Sequence, residues 1–314
     1  MNTVDESLPI RVGTARGIRT ASWWNRVREA GIGYLFLLPS LAGFGIFLFY
    51  PFFQSLYLSV HSTNLRGKIA EYVGFENYRE LLTSEKFYHS LGVTAQFALL
   101  TIPTTIAAAL LLAALTHRGL KGKRVYQFIF SLPMALSVGT ASVIWALLFH
   151  PTAGMLNYWL GLLGQAPIAW LSDPSWALVS VSLMTVWMNL GFAYIVLLSG
   201  LQSVPEDMYD SAKIDGAGPM RTFFRIVLPL VSPTLFFVGV VSLIGAFQSF
   251  GQIQILTKGG PMDTTNVMVY SLYQEAFVNF RFGSGSAQAI LLFVIVLFFT
   301  FVQFGVLERK VHYS

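Results

Sequence analysis

Long apolar runs alternate with short polar ones from residue 30 to residue 307. No Asp, Glu, Lys or Arg occurs within 30–65, 87–117, 125–172, 174–205, 226–257 or 282–307. Each run exceeds the ~20 residues that a helix needs to cross a hydrocarbon core of ~30 Å. In lipid only helices and closed barrels satisfy their own backbone hydrogen bonds, and runs this long without strict alternation are helical. Six spans are predicted, at 33–58, 92–116, 126–149, 176–200, 232–256 and 285–307. The run 125–172 has room for two, but Pro151, Gly154, Asn157 and Gly164 break its second half. That half reads as an external loop carrying a short helix around Leu156–Leu163. The fold class is therefore an all-α integral membrane protein, with a polar tail over 1–30 and one membrane domain over 31–314.

Composition agrees with this pattern. Hydrophobic residues make up 54% of the chain and charged residues 11%, against about 25% charged in soluble domains. Lys and Arg set the orientation. Fourteen of the twenty fall in the N-terminal tail, the loop 117–125, the loop 203–229 and the C-terminal tail. Cytoplasmic loops carry the excess of Lys and Arg, so both termini and the 203–229 loop are expected in the cytoplasm. The net charge of +5 follows from this bias and gives no sign of a nucleic-acid partner. About thirty mostly polar residues before the first span do not fit a cleaved signal peptide. The absence of Cys excludes disulfides and thiolate metal sites.

The 203–229 loop holds the densest polar stretch between two spans. Ser203-Val204-Pro205-Glu206 has the spacing of a capping box, with Ser203 as N-cap. Asp207 and Asp210 suit the positive end of the helix that follows. Val204, Met208 and Ala212 recur at i+4 as one apolar face, and Gly216 is placed to end the helix as a left-handed C′ residue. Gly218-Pro219 opens a second short helix, and Pro229 and Pro233 mark the start of the fifth span. Small residues, Ser211, Ala212, Gly216 and Ala217, let another protein approach closely. The same residues also fit an amphipathic loop lying on lipid.

Polar groups inside the charge-free spans are the candidates for a solute pathway, because unpaired amides are costly in hydrocarbon. Ser182, Thr185 and Asn189 share one face of the fourth span, with Trp187 and Tyr194 nearby. In the fifth, Gln248 and Gln252 stand one turn apart beside Ser249. Amides, hydroxyls and aromatic faces suit a sugar or polyol. The competing account is interhelical bonding, which such residues often supply in membranes.

No G-x-x-x-x-G-K-[ST] occurs, so ATP hydrolysis would belong to another chain. The five His are scattered and give no H-E-x-x-H, so no metal site is expected. Asp207, Asp210 and Asp215 are better explained by helix capping than by Mg²⁺.

The loop resembles the EAA loop of ABC importer permeases, whose pattern is Glu-Ala-Ala, three residues, Gly, nine residues, Ile-x-Leu-Pro. Here it reads Asp210-Ser211-Ala212, then Gly216, then Ile226-Val227-Leu228-Pro229. Asp replaces Glu and Ser replaces the first Ala. Val73-Gly74-Phe75-Glu76-Asn77-Tyr78, the Thr257 to Pro261 turn and Glu308-Arg309-Lys310-Val311-His312-Tyr313 are similar to the maltose-type and glycerol-3-phosphate-type carbohydrate-uptake permeases. The resemblance covers about residues 30–314. It implies a non-catalytic subunit in a bacterial or archaeal plasma membrane. It also implies a second permease in a heterodimer, two copies of an ATPase that bind ATP and Mg²⁺, and an extracytoplasmic substrate-binding protein. Glu206, Asp210, Ser211, Ala212, Asp215, Gly216 and Ala217 would contact the ATPase. An ion-coupled secondary transporter is the alternative, weakened because no carboxylate or His lies in the predicted spans to carry protons.

Overall fold

The computed structural model describes residues 23–64, 68–117 and 121–307. Most of the N-terminal tail, and the C-terminal Glu308 to Tyr313 motif, lie outside them. The described chain is helical apart from one small hairpin. It forms two compact units, residues 1–54 and 55–314.

The first unit holds α1 (Trp23–Phe44), a π-helical turn, Gly45–Phe49, and the start of α2 (Tyr50–Ser59). The expected boundary at residue 30 falls inside α1. Tyr34–Ser59 is long and apolar enough to cross a membrane.

The second unit opens with the antiparallel strands β1 (His61–Thr63) and β2 (Ile69–Tyr72). There follow α3 (Glu76–Thr83), α4 (Glu85–His117), α5 (Lys123–Ser131), α6 (Val138–Leu148), α7 (Met155–Leu162) and α8 (Pro174–Gln202). The short helix expected around 156–163 is α7. Beyond α8 come α9 (Glu206–Ile214), α10 (Pro219–Thr222), α11 (Leu228–Leu230), α12 (Ser232–Phe247), α13 (Gly251–Leu256), α14 (Met268–Tyr273) and α15 (Phe282–Leu307).

The two longest helices, α4 and α8, run side by side in the same direction. At one end Val93 and Phe97 share a cluster with Leu178 and Val181. At the other, Ala109 and Ala113 share one with Tyr194 and Leu197. Val231 and Val238, on and just before α12, close that second cluster. Small side chains let these helices approach: a Cβ on Gly200 would lie 2.6 Å from Thr234 Oγ1.

Four helices among the described residues are long and apolar enough to cross a membrane, or up to six if each of two bent pairs counts as one span. Two of the expected spans are interrupted, the third at a bent pair and the fifth at a break inside its range. The third was expected as a continuous helix over 126–149. Instead α5 runs into a 3-10 turn, Leu132–Ala135, and α6 departs from it at 104°. Pro133 denies the ladder an N–H, and Ser137 then N-caps α6, its Oγ accepting from Thr140 N at 3.1 Å. At 1.5 Å per residue, the 11 residues of α6 reach about 16 Å, half a hydrocarbon core. The fifth span was expected over 232–256, but α12 stops at Phe247 and the chain resumes as α13 only at Gly251. The two interruptions are close neighbours: a Cβ on Gly251 would sit 2.8 Å from Val138 Cγ1.

Candidate functional site

The 203–231 loop emerges from α8 at one end of the helix bundle. Ser203 does not cap the following helix as the spacing suggested. Its Oγ donates to the Gly200 carbonyl at 2.8 Å and closes α8. The N-cap of α9 is Pro205, with no side-chain cap. The inward face also differs from the expected Val204, Met208, Ala212 stripe. Val204 precedes the helix, and the buried or half-buried residues are Val204, Tyr209 and Ala212, while Met208 is exposed.

Gly216 behaves as its position predicts. Its φ is +70°, the left-handed region where a side chain is strained. The Ala217 N–H donates to the Ala212 carbonyl at 2.9 Å, and the Gly216 N–H to the Lys213 carbonyl at 3.0 Å. This 6→1 and 5→2 pair is a Schellman ending. It turns the chain sharply into α10, whose N-cap is Gly218 and whose first residue is Pro219. A π-helical turn, Phe223–Val227, and α11 carry the chain to a 67° bend ahead of α12.

Glu206, Asp210, Ser211, Asp215 and Gly216 are exposed, Ala217 is half-buried, and Ala212 is buried beneath the turn. Lys213 Nζ lies 2.8 Å from Asp210 Oδ1. Between α9 and the body is a cavity of about 340 Å³, lined by apolar groups of Leu201, Ala217, Phe223 and Val227 with His117 and Tyr209. Tyr209 Oη and His117 Nε2 are 3.5 Å apart, so α9 stands over the end of α4. The sequence reading missed the apolar side chains this loop presents outward. Ile214 is 86% exposed and Met220 75%. The signal was available, since Ile214 and Met220 are the large apolar residues in the otherwise polar and small stretch from Asp210 to Thr222.

The pathway candidates separate into two groups. Thr185 and Gln252 are buried and joined, Gln252 Nε2 donating to Thr185 Oγ1 at 3.3 Å. Ser249 is buried and returns its hydroxyl to the Gly245 carbonyl at 2.9 Å. Tyr194, expected along the pathway, is fully buried within this chain, with its Oη 2.7 Å from Thr116 Oγ1 and its ring edge-on to Phe130. It has no surface to offer a solute. Asn189 and Gln248 are exposed. Gln248 and Gln252 do not share a helical face, because the break at Gln248–Phe250 lies between them.

At the opposite end of the bundle the weaker sequence motifs have structural work. Asn77 Nδ2 donates to the carbonyls of Ser59 and His61 at 2.9 and 3.1 Å, and Tyr78 Oη donates to Ser59 Oγ at 2.7 Å. Gly259, at φ +82°, lies against Tyr270, where a Cβ would approach the ring to 2.7 Å. Arg281 bonds Glu80 through Nη2 at 2.7 Å and Glu275 through Nη1 at 2.9 Å. The hydrogen bond to Glu80 raises the Arg281 pKa above its ordinary value, with both carboxylates adding to the effect against burial. Among the described residues, no three His, Asp or Glu side chains stand close enough to hold a metal ion.

The model of the binding-protein-dependent transport system inner membrane component family matches residues 102–313. The chain belongs to this family. Full-length relatives agree with that membership. The sn-glycerol-3-phosphate transport system permease protein UgpA of Pectobacterium atrosepticum is 36% identical over 91% of this chain and 97% of its own length. That of Agrobacterium fabrum is 36% identical over 90% and 96%. Among solved structures, the permease fold is shared with a chain of a bacterial alginate ABC transporter crystallised with a periplasmic protein carrying an alginate pentasaccharide. The TM-score is 0.81 at 23% identity, over 91% of this chain and 97% of that one. This transport-system component thus pairs a multi-helix apolar body with a polar loop that ends its first helix at Gly216.

Proposed function

We propose that this chain is one permease subunit of an ATP-driven importer, and that its solute is sn-glycerol 3-phosphate or a related phosphorylated polyol. The carrying observation is the α9–α10 elbow, a rigid Schellman turn bearing exposed Ile214 and Met220 at one end of the paired helices α4 and α8. The names of the 36%-identical relatives favour the phosphorylated solute over a sugar. The elbow and both termini face the cytoplasm. Glu206, Asp210, Ser211, Asp215 and Gly216 meet a partner ATPase, two copies of which bind ATP and Mg²⁺. Residues 31–314 form the permease domain, a second permease completes a heterodimer, and an extracytoplasmic binding protein delivers the solute. Exposed Asn189 and Gln248 line the passage, while Thr185, Gln252 and Ser249 shape its wall.

An ion-coupled carrier is the second reading, and the two separate cleanly. The tagged chain with its co-purifying subunits is reconstituted into liposomes and given labelled sn-glycerol 3-phosphate, with ATP inside the vesicles' cytoplasmic-facing compartment or with an ion gradient alone. ATP-dependent uptake, lost in Gly216→Pro while that variant still inserts, is the expected result. Uptake by the chain alone on an ion gradient would replace the importer by a secondary transporter.

A further inference from the structure

The helix α5 combines two features that neither the proposed passage nor the ATPase contact uses. Its stripe Val125, Phe128, Ile129 and Leu132, at i, i+3, i+4 and i+7, is exposed over 49–66% of each side chain. The opposite face is packed: Phe130 meets the Tyr194 ring, and the Ser131 carbonyl is 3.0 Å from the Cβ position of Gly191 on α8. The stripe is therefore the outward face of a helix whose inner face is already fixed. At its start stand Lys121, Lys123 and Arg124, all exposed. None of the three forms a salt bridge among the described residues. A cationic end on an apolar stripe is the pattern of a helix that sits where headgroups meet acyl chains.

Position supports the same partner. Lys121 follows His117 by four residues, and His117 contacts Tyr209 of α9. The basic end of α5 is thus on the same side of the bundle as the elbow. The 104° bend before α6 turns α5 and α6 away from a common axis, so the stripe is not simply a prolongation of a straight span.

We infer that Lys121, Lys123 and Arg124 bind the headgroups of anionic phospholipids, with the Val125–Leu132 stripe laid against their acyl chains. Three uncompensated cations at one end of the stripe choose an anionic lipid over a neutral one. Basic clusters beside membrane helices bind acidic lipids in this way, each Lys or Arg strengthening the attraction about fivefold. Replacing all three by Gln should weaken phosphatidylglycerol retention about a hundredfold.

The test uses the complex purified in mild detergent. Native mass spectrometry counts the phosphatidylglycerol molecules retained by the wild type and by the Lys121→Gln/Lys123→Gln/Arg124→Gln variant. The wild type is expected to keep phosphatidylglycerol and to release it as salt is raised, and the variant to lose it at low salt. Because the chain has no Cys, a single Phe128→Cys carries the only nitroxide on this subunit, with the partner subunits' thiols blocked beforehand. In vesicles of phosphatidylethanolamine with phosphatidylglycerol it should collide freely with oxygen and poorly with a water-soluble nickel chelate. Equal lipid retention in wild type and variant, or retention indifferent to salt, overturns the proposal. So does a nitroxide shielded from oxygen, which would assign the stripe to the second permease subunit instead.

Discussion

Gly283 shows how little room single positions leave in this protein. It sits at the start of α15, where its Cβ position is 2.2 Å from the His61 backbone carbonyl oxygen. That oxygen already accepts from Asn77 Nδ2, so it has no free direction in which to move. Forcing atoms into a packed site costs about 1–3 kcal/mol. Gly283→Ala should therefore lower the unfolding midpoint in detergent by several degrees, whereas Gly161→Ala, inside α7 with open space around its Cβ, should not. Equal midpoints for the two variants would mean that the hairpin is not held against α15. The Asn77-Tyr78 motif is legible in the sequence as a resemblance but not as a mechanism. Its purpose is to pin residues 59–61, which are distant in the chain, and spacing carries no record of that contact. Gly216 is different: a local backbone requirement after a polar helix is written in the residue itself.

The elements divide by whether their cause is local. The helices α4, α8 and α15 follow directly from uninterrupted apolar runs. The break after Phe247 does not, because Ile253, Ile255 and Leu256 prolong the apolar pattern and only Gly251 hints at an interruption. Its cause is the approach of α6, whose Val138 occupies the space next to Gly251. The break changes what the two glutamines do, and this gives a clean prediction. Gln252 is 7% exposed and donates to Thr185; Gln252→Leu removes one buried hydrogen bond, worth about 1 kcal/mol. It should lower thermal stability and leave solute preference intact. Gln248 is exposed at the helix end, so Gln248→Leu should hold stability within about 0.5 kcal/mol yet slow uptake or shift selectivity. The measurements are a melting curve and a transport assay on the same preparations. If both variants only destabilise, the break does not line a passage.

At the scale of the whole molecule, the question is what drives charge-free spans in a sequence without a G-x-x-x-x-G-K-[ST] motif. At the elbow a rigid turn, a buried anchor and exposed apolar groups coincide. Ala212 and Tyr209 fix α9 to the body, and the contact with His117 brings it over the end of α4. A push on α9 therefore reaches the longest helix pair directly. Ile214, at the last turn of α9, is 86% exposed and contributes almost nothing to the fold of this chain, so Ile214→Asp should lower stability by no more than the ~0.3–1 kcal/mol that an acid costs at a helix C-terminus. Burying an Ile side chain against a partner is worth about 1.5–3 kcal/mol. A carboxylate there should weaken recovery of the proposed ATPase partner about 10-fold or more, by the factor of ten that each 1.4 kcal/mol represents. Pull-down of the ATPase by wild type and variant, beside their melting curves, makes the comparison. Undiminished ATPase recovery with Ile214→Asp would show that the partner reads only the polar rim of the elbow. A matching loss of stability would show that Ile214 packs inside the subunit after all.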